Sequence, residues 1–211
     1  RADWRDHHVL LRVYFPARIN ATKAAYEIQF GNVKRPTHKN TSWDRARFEV
    51  CAHKWADLSE PGYGVALMND CKYGYDVHEG VMGLTLIKSG IFPNPDADQG
   101  QHEFTYALFP HQGDFRKGSV VREAYDLNCP MAWEKVQGIY EDSFSMLQIA
   151  EENVMADTVK AAEDGNGIIV RIYETWGMRT KVHVNFPLAP DAQVTVCDCM
   201  ENFSGVENAD M

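Results

Sequence analysis

The sequence predicts an all-β protein: an antiparallel β-sandwich or barrel carrying one or two short helices. Three observations carry that expectation. Roughly ten short runs rich in β-branched and aromatic residues recur along the chain. Several of them alternate apolar and polar side chains with a period of two. Between them, Gly, Pro, Asn and Asp mark turns. Alternation of this kind implies antiparallel sheets with one wet face, since a buried parallel sheet reads as a continuous apolar run.

In chain order, Val9 to Phe15 (VLLRVYF) reads as a strand stopped by Pro16. Ala24 to Phe30 alternates Tyr26, Ile28 and Phe30 against Glu27 and Gln29, a half-buried strand. Lys34 to Asp44 is polar, aperiodic and proline-bearing, and reads as a surface loop. Arg47 to Cys51 and Gly64 to Asn69 read as strands, with Ser59-Glu60-Pro61-Gly62 as a turn. Met82 to Ile87 alternates again, and Glu103 to Phe109 forms a strand ended by Pro110. Val120, Val121, Ala124 and Leu127 fall at helical spacing and predict a helix over Lys117 to Leu127. Phe144 to Ile149 and Asn153 to Glu163 read as strands. Asp164-Gly165-Asn166-Gly167 joins the latter to Ile168 to Tyr173, because paired glycines supply the positive φ of a tight hairpin turn. Arg179 to Phe186 and Gln193 to Met200 alternate and complete the series. No repeat or low-complexity linker divides the chain, so residues 1–211 read as a single domain.

Composition narrows the function classes. Hydrophobic residues make up 45% and charged residues 24%, as in an ordinary globular chain. Basic residues number 21 against 30 acidic ones, for a net charge of −9, so nucleic acid and anionic membrane are not expected partners. No run reaches the ~18 apolar residues of a membrane helix. Five cysteines, an odd number thinly spread, do not make a disulfide scaffold, and a reducing, cytoplasmic setting is expected. The chain opens Arg1-Ala2-Asp3-Trp4 without an initiator methionine and closes on a turn-like tail, which predicts a piece of a longer polypeptide, with trimming as the alternative.

Local motifs for chemistry are sparse. The eight histidines form no HExxH and keep no Cys-x-x-Cys company. Cys197 and Cys199 share a strand face and could offer two soft ligands, yet they read as small hydrophobes. No Gly-x-Ser-x-Gly elbow is present, and Gly62-Tyr63-Gly64 and Gly165-Asn166-Gly167 read as turns. One stretch stands apart. Asn69, Asp70, Lys72 and Tyr73 gather amide, carboxylate, ammonium and phenol at a strand end and the turn after it. Vicinal hydroxyls want such bidentate polar groups, and the C–H face of a sugar wants an aromatic ring. A polar hairpin tied by Asx bonds is the competing reading.

Longer segments carry a resemblance. FEVCAHKWADLSE (48–60) and GYGVALMNDCKYG (62–74) closely resemble the β-rich C-terminal half of glycoside hydrolase family 38 α-mannosidases, cytosolic and bacterial branch. YEIQFG (26–31), RPTHKNTSWD (35–44), HEFTYALFPH (102–111) and Glu163-Asp164-Gly165 fit the same family. The resemblance implies an antiparallel β-sandwich of the galactose-mutarotase-like supersandwich kind for this region. It also implies a parent enzyme that hydrolyses terminal α-mannosides with retention, using one Zn²⁺ and an aspartate nucleophile in an N-terminal barrel. No residue here matches those metal or nucleophile motifs, so the chain is expected to hold no catalytic or metal-binding residue and no cofactor. Its implied partners are that barrel and mannosides, with Asn69, Asp70, Lys72 and Tyr73 lining the sugar site or packing between domains. Apolar surface left uncovered would favour a homo-oligomer. A stand-alone carbohydrate-binding module is the alternative function. A mutarotase-like enzyme using His102, His111 and Glu103 is a third.

Overall fold

The computed structural model describes residues 1–138 and 143–203, and the chain divides into two compact units, Arg1–Ala132 and Trp133–Met211. In the first unit the elements in order are β1 (Ala2–Trp4), β2 (Val9–Pro16), β3 (Lys23–Ile28), β4 (Gly31–Pro36), α1 (Ser42–Ala46), β5 (Val50–Cys51) and β6 (Trp55–Glu60). Then follow β7 (Tyr63–Asn69), β8 (Gly74–His78), β9 (Val81–Ser89), β10 (Gly100–His102), β11 (Tyr106–Gln112) and α2 (Val120–Asn128). The second unit holds β12 (Gln148–Ile149), β13 (Val154–Ala161), β14 (Ile168–Glu174) and β15 (Val184–Asn185).

Every strand pairing is antiparallel. The first unit packs a five-stranded sheet, β11-β7-β6-β3-β4, against a four-stranded one, β2-β9-β8-β5. Tyr26, Leu58, Val65 and Leu67 from the first sheet meet Tyr75, Val77, Met82 and Leu84 from the second in one core. This is the β-sandwich that the alternating strands predict. The other face of β6 and β7 is covered by α2, whose Val120, Val121 and Ala124 are buried. Lys54 adds to that contact, its Nζ 4.4 Å from the Tyr125 ring centroid.

Several expectations are corrected here. Trp55–Glu60 is a strand that period-two reading misses, because α2 on one side and the second sheet on the other bury Trp55, Ala56, Asp57 and Leu58 in succession. The turn after it shrinks to Pro61-Gly62, as Glu60 pairs with Tyr63, and Gly64 lies inside β7 instead of in a turn. The loop expected over Lys34 to Asp44 loses both ends. β4 takes residues to Pro36, and α1 begins at Ser42 under a capping box in which Thr41 and Asp44 bond each other's backbone N–H. Pro110 does not end its strand. It pairs with Val65 inside β11, which lies at the sheet edge where a missing N–H costs no ladder bond.

In the second unit the hairpin β13–β14 forms around Gly165 and Gly167, both at positive φ, as expected. The strands expected over Phe144 to Ile149 and Arg179 to Phe186 contract to the two-residue pair β12–β15. Gln193 to Met200 contributes only the bridge Cys197–Phe203. The tail after Phe203 lies outside the described residues.

Candidate functional site

The turn from Asn69 to Tyr73 links β7, inside the five-stranded sheet, to β8 in the other sheet, so its residues are positioned by both layers of the sandwich. Asn69 is 1% exposed and entirely spent on the protein. Its Nδ2 donates to the His53 carbonyl at 3.2 Å and to the Tyr75 hydroxyl. Its Oδ1 accepts from the backbone N–H of Cys71 at 2.9 Å and of Lys72, which is an Asx-type lock on the turn. Its carbonyl accepts from Asn128 Nδ2 on α2 at 3.0 Å. The Tyr75 hydroxyl in turn donates to the His53 carbonyl at 3.1 Å.

Asp70 is exposed, and both its carboxylate oxygens accept the Thr105 N–H at 3.0 Å. Desolvation works against the ionised carboxyl, but hydrogen bonds from Cys71 and Thr105 outweigh it and hold Asp70 below the ordinary carboxylate range. The neighbouring Cys71 thiol is pushed up to about 11 by burial and by the Asp70 carboxylate, so it is a poor nucleophile. Lys72 is half-buried with its Nζ 5.1 Å from the Phe104 ring centroid. Tyr73 is 59% exposed, and the His53 ring meets it edge-on at 5.8 Å. The four predicted residues therefore share one turn in two roles. Asn69 fixes the backbone from inside, while Asp70, Lys72 and Tyr73 carry the groups that reach its surface. His53 as aromatic neighbour of Tyr73 gave no signal in the sequence, because the two meet only through the pairing of β5 with β8.

The other candidates do not assemble. His102 Nε2 lies 2.8 Å from the Asp98 carbonyl, and Glu103 pairs with Arg1 at 3.0 Å on the surface. His111 instead is buried: its Nε2 lies 2.7 Å from Asp57 Oδ1, and Ser59 Oγ donates to Asp57 Oδ2 at 2.8 Å. Burial pulls the His111 pKa down, but the Asp57 hydrogen bond and charge overcome this and raise it above the ordinary imidazole value. Gly64 and Gly118 flank the ring so closely that a Cβ on either would overlap it. Among the described residues no three His, Cys, Asp or Glu side chains come together as a metal site, and no helix is long and apolar enough to cross a membrane. All five cysteines are free thiols.

The sequence matches the glycosyl hydrolases family 38 C-terminal domain over residues 1–96 and the glycosyl hydrolases family 38 C-terminal beta sandwich domain over residues 153–210. It is 44% identical over 202 residues to alpha-mannosidase 2C1 of Homo sapiens, covering 94% of this chain and 19% of that protein. Alpha-mannosidase G of Dictyostelium discoideum is 43% identical over 207 residues, 93% of this chain and 18% of that protein. The alpha-mannosidase of Saccharomyces cerevisiae is 38% identical over 201 residues, 88% and 18%. The chain thus spans about a fifth of the length of the curated relatives it matches. Among solved structures, an alpha-mannosidase from Enterococcus faecalis superposes with a TM-score of 0.72 at 20% identity, over 84% of this chain and 21% of that one. At that identity the likeness speaks to fold alone.

Proposed function

This chain belongs to glycoside hydrolase family 38, as part of its C-terminal region, and on that premise we propose that it is the β scaffold of an α-mannosidase whose bond-breaking residues lie outside it. The parent enzyme in this reading hydrolyses terminal α-mannosides with retention in a zinc-bearing N-terminal barrel. The chain's own part in this reading is to support the barrel and to line the sugar site. Free cysteines throughout suit the reducing, cytoplasmic setting that belongs to the same proposal.

The observation that supports the lining role is the locked turn. With Asn69 holding the backbone through both of its amide atoms, Asp70, Lys72 and Tyr73 are held in fixed places at little entropic cost to a ligand. The test is made in the parent enzyme. Tyr73→Ala and Lys72→Ala should each raise KM for an aryl α-mannoside about tenfold, equivalent to about 1.4 kcal/mol of binding, with kcat little changed. An unaltered KM in both variants refutes the lining role. The 211-residue chain alone should release no nitrophenol from the same substrate, with or without Zn²⁺, and turnover would refute the scaffold reading.

The exposed Tyr73 ring edged by His53 also favours a second reading, a stand-alone carbohydrate-binding module. A mannose titration of the isolated chain separates the two: amide shifts of the turn that stay still at millimolar sugar reject the module. That residues 1–211 act as a single domain belongs to the same proposal, and one calorimetric transition covering both units is its expected signature.

A further inference from the structure

A cavity lies away from the Asn69–Tyr73 turn, between β4, α1 and β8 in the first unit. It measures about 30 Å³, enough for one or two water-sized occupants, and its wall includes Arg35, Lys39, Arg47, Asp44 and Asp76. The Arg35 guanidinium lies 4.8 Å from the Tyr26 ring centroid, and the ring covers one of its faces. Its Nη1 is buried and has no hydrogen-bond partner among the described residues. A buried donor on a charged group is costly to leave unmet and demands an acceptor.

Of the carboxylates around the cavity, Asp44 is committed through both oxygens and Asp76 through one. Asp44 Oδ1 accepts from Arg47 at 2.9 Å, while its Oδ2 accepts from the Thr41 backbone N–H at 3.1 Å and the Thr41 hydroxyl at 2.8 Å. Asp76 Oδ1 is bound by Arg12 from β2. Arg47 and Arg12 are therefore matched, and Arg35 and Lys39 remain as cations without a carboxylate. The two histidines on the wall add no anion. His78 Nδ1 bonds the Thr37 carbonyl at 2.9 Å, and His38 stands 3.8 Å from Asp44 Oδ2. A water would accept the Arg35 N–H and leave the local positive charge as it is, whereas an anion answers both needs. The cavity has room for a monatomic anion. This positive spot sits on a chain of net charge −9, so non-specific attraction of anions to the whole molecule does not account for it.

We propose that this cavity is a halide site, in which one chloride-sized anion is held by Arg35 with Lys39 completing the charge balance. The experiment takes the 211-residue chain in sodium chloride against sodium gluconate at equal ionic strength. Chloride should raise Tm saturably over gluconate, bromide should do the same, and the ³⁵Cl resonance should broaden in proportion to protein. Arg35→Gln should abolish both effects, while Lys23→Gln, on an exposed part of another cleft, should leave them. Equal Tm in the two salts without broadening overturns the site, as does broadening that survives Arg35→Gln. Should Arg35→Gln fail to fold, a bromide-soaked crystal of the unaltered chain decides. An anomalous peak beside Arg35 Nη1 supports the site, and water there instead refutes it.

Discussion

In the first unit, apolar side chains on β6 and β7 are covered twice over, by the facing sheet and by α2. In the second unit the β13–β14 hairpin leaves a whole apolar stripe wet. Trp55, Leu58, Leu67 and Met82 are all below 2% exposed, whereas among the described residues from Trp133 onward only Val154 is a buried hydrophobic. Val159, Ile168 and Ile172 stand at 44%, 66% and 37% exposure. Both regions are built from extended strands in antiparallel pairs. The difference teaches that strand pairing alone does not bury a face; burial needs a second layer, and a two-stranded hairpin alone supplies none. The stability of this chain is therefore concentrated in residues 1–132.

The sharpest way to break that comparison is to cut the same kind of atom from each unit. Trp55 on β6 stacks on Phe115, in the turn that leads into α2, at 5.1 Å. Trp55→Ala should cost about 3–5 kcal/mol in urea unfolding, from lost transfer energy and an unfilled cavity. Trp55→Phe should cost far less, because the indole Nε1 has no partner among the described residues and no hydrogen bond is lost with it. A Trp55→Ala cost below about 1 kcal/mol would mean that the first unit does not carry the stability.

Next in size is the buried pair that closes the first unit's outer face. His111 and Asp57 side chains are 2% and 1% exposed. Asp57→Asn removes the anion from a buried imidazolium and should cost about 3–5 kcal/mol below neutral pH. The pH dependence has a definite sign. The folded His111 pKa is raised, so folding takes up a proton; the stability it adds is complete below the unfolded value of about 6.5 and is lost as pH rises through the folded value. Unfolding midpoints measured between about pH 6 and 8 should fall with pH in the native sequence. In Asp57→Asn the raising contribution shrinks to Asp114 and the Gln112 carbonyl against the same burial, so the fall should vanish or reverse. A slope unchanged by the substitution would remove the pair from the account.

The same contrast explains what could be read from residues alone. β3, β9, β13 and β14 were legible because each alternates or is bounded by glycine turns, and α2 because Val120, Val121 and Ala124 share a helical face. β6 was not, since cover on both sides erases the period, and neither was Pro110 inside β11, since edge position is a property of the sheet order. α1 was hidden in a polar loop whose Thr41 and Asp44 spacing is a capping box only when the chain turns there. In the candidate site the turn was legible as chemistry, but the division of labour was not. That Asn69 faces inward follows from the Tyr75 hydroxyl and the His53 carbonyl meeting its amide, and that meeting depends on how β7 of one sheet and β8 of the other are stacked. The buried His111–Asp57 pair, 54 positions apart, left no local trace either.

The smallest expected effect on stability tests the second unit and gives the largest effect on association. Val159 pairs with Val170 and Ala161 with Ile168 across the hairpin, and Ile172 lies two residues beyond Val170 on the same face. These side chains make one continuous apolar stripe open to solvent, of the sort that marks a contact surface. Ile168→Ser should therefore shift the unfolding free energy by no more than about 0.5 kcal/mol, because the wild-type side chain is already two-thirds exposed. In sedimentation velocity the unaltered chain should show concentration-dependent association, and Ile168→Ser combined with Val159→Thr should move it toward monomer. A large loss of stability in Ile168→Ser would mean the hairpin face is covered and the two units are alike. Identical sedimentation of the altered and unaltered chains would mean that the stripe, though exposed, does not draw copies together.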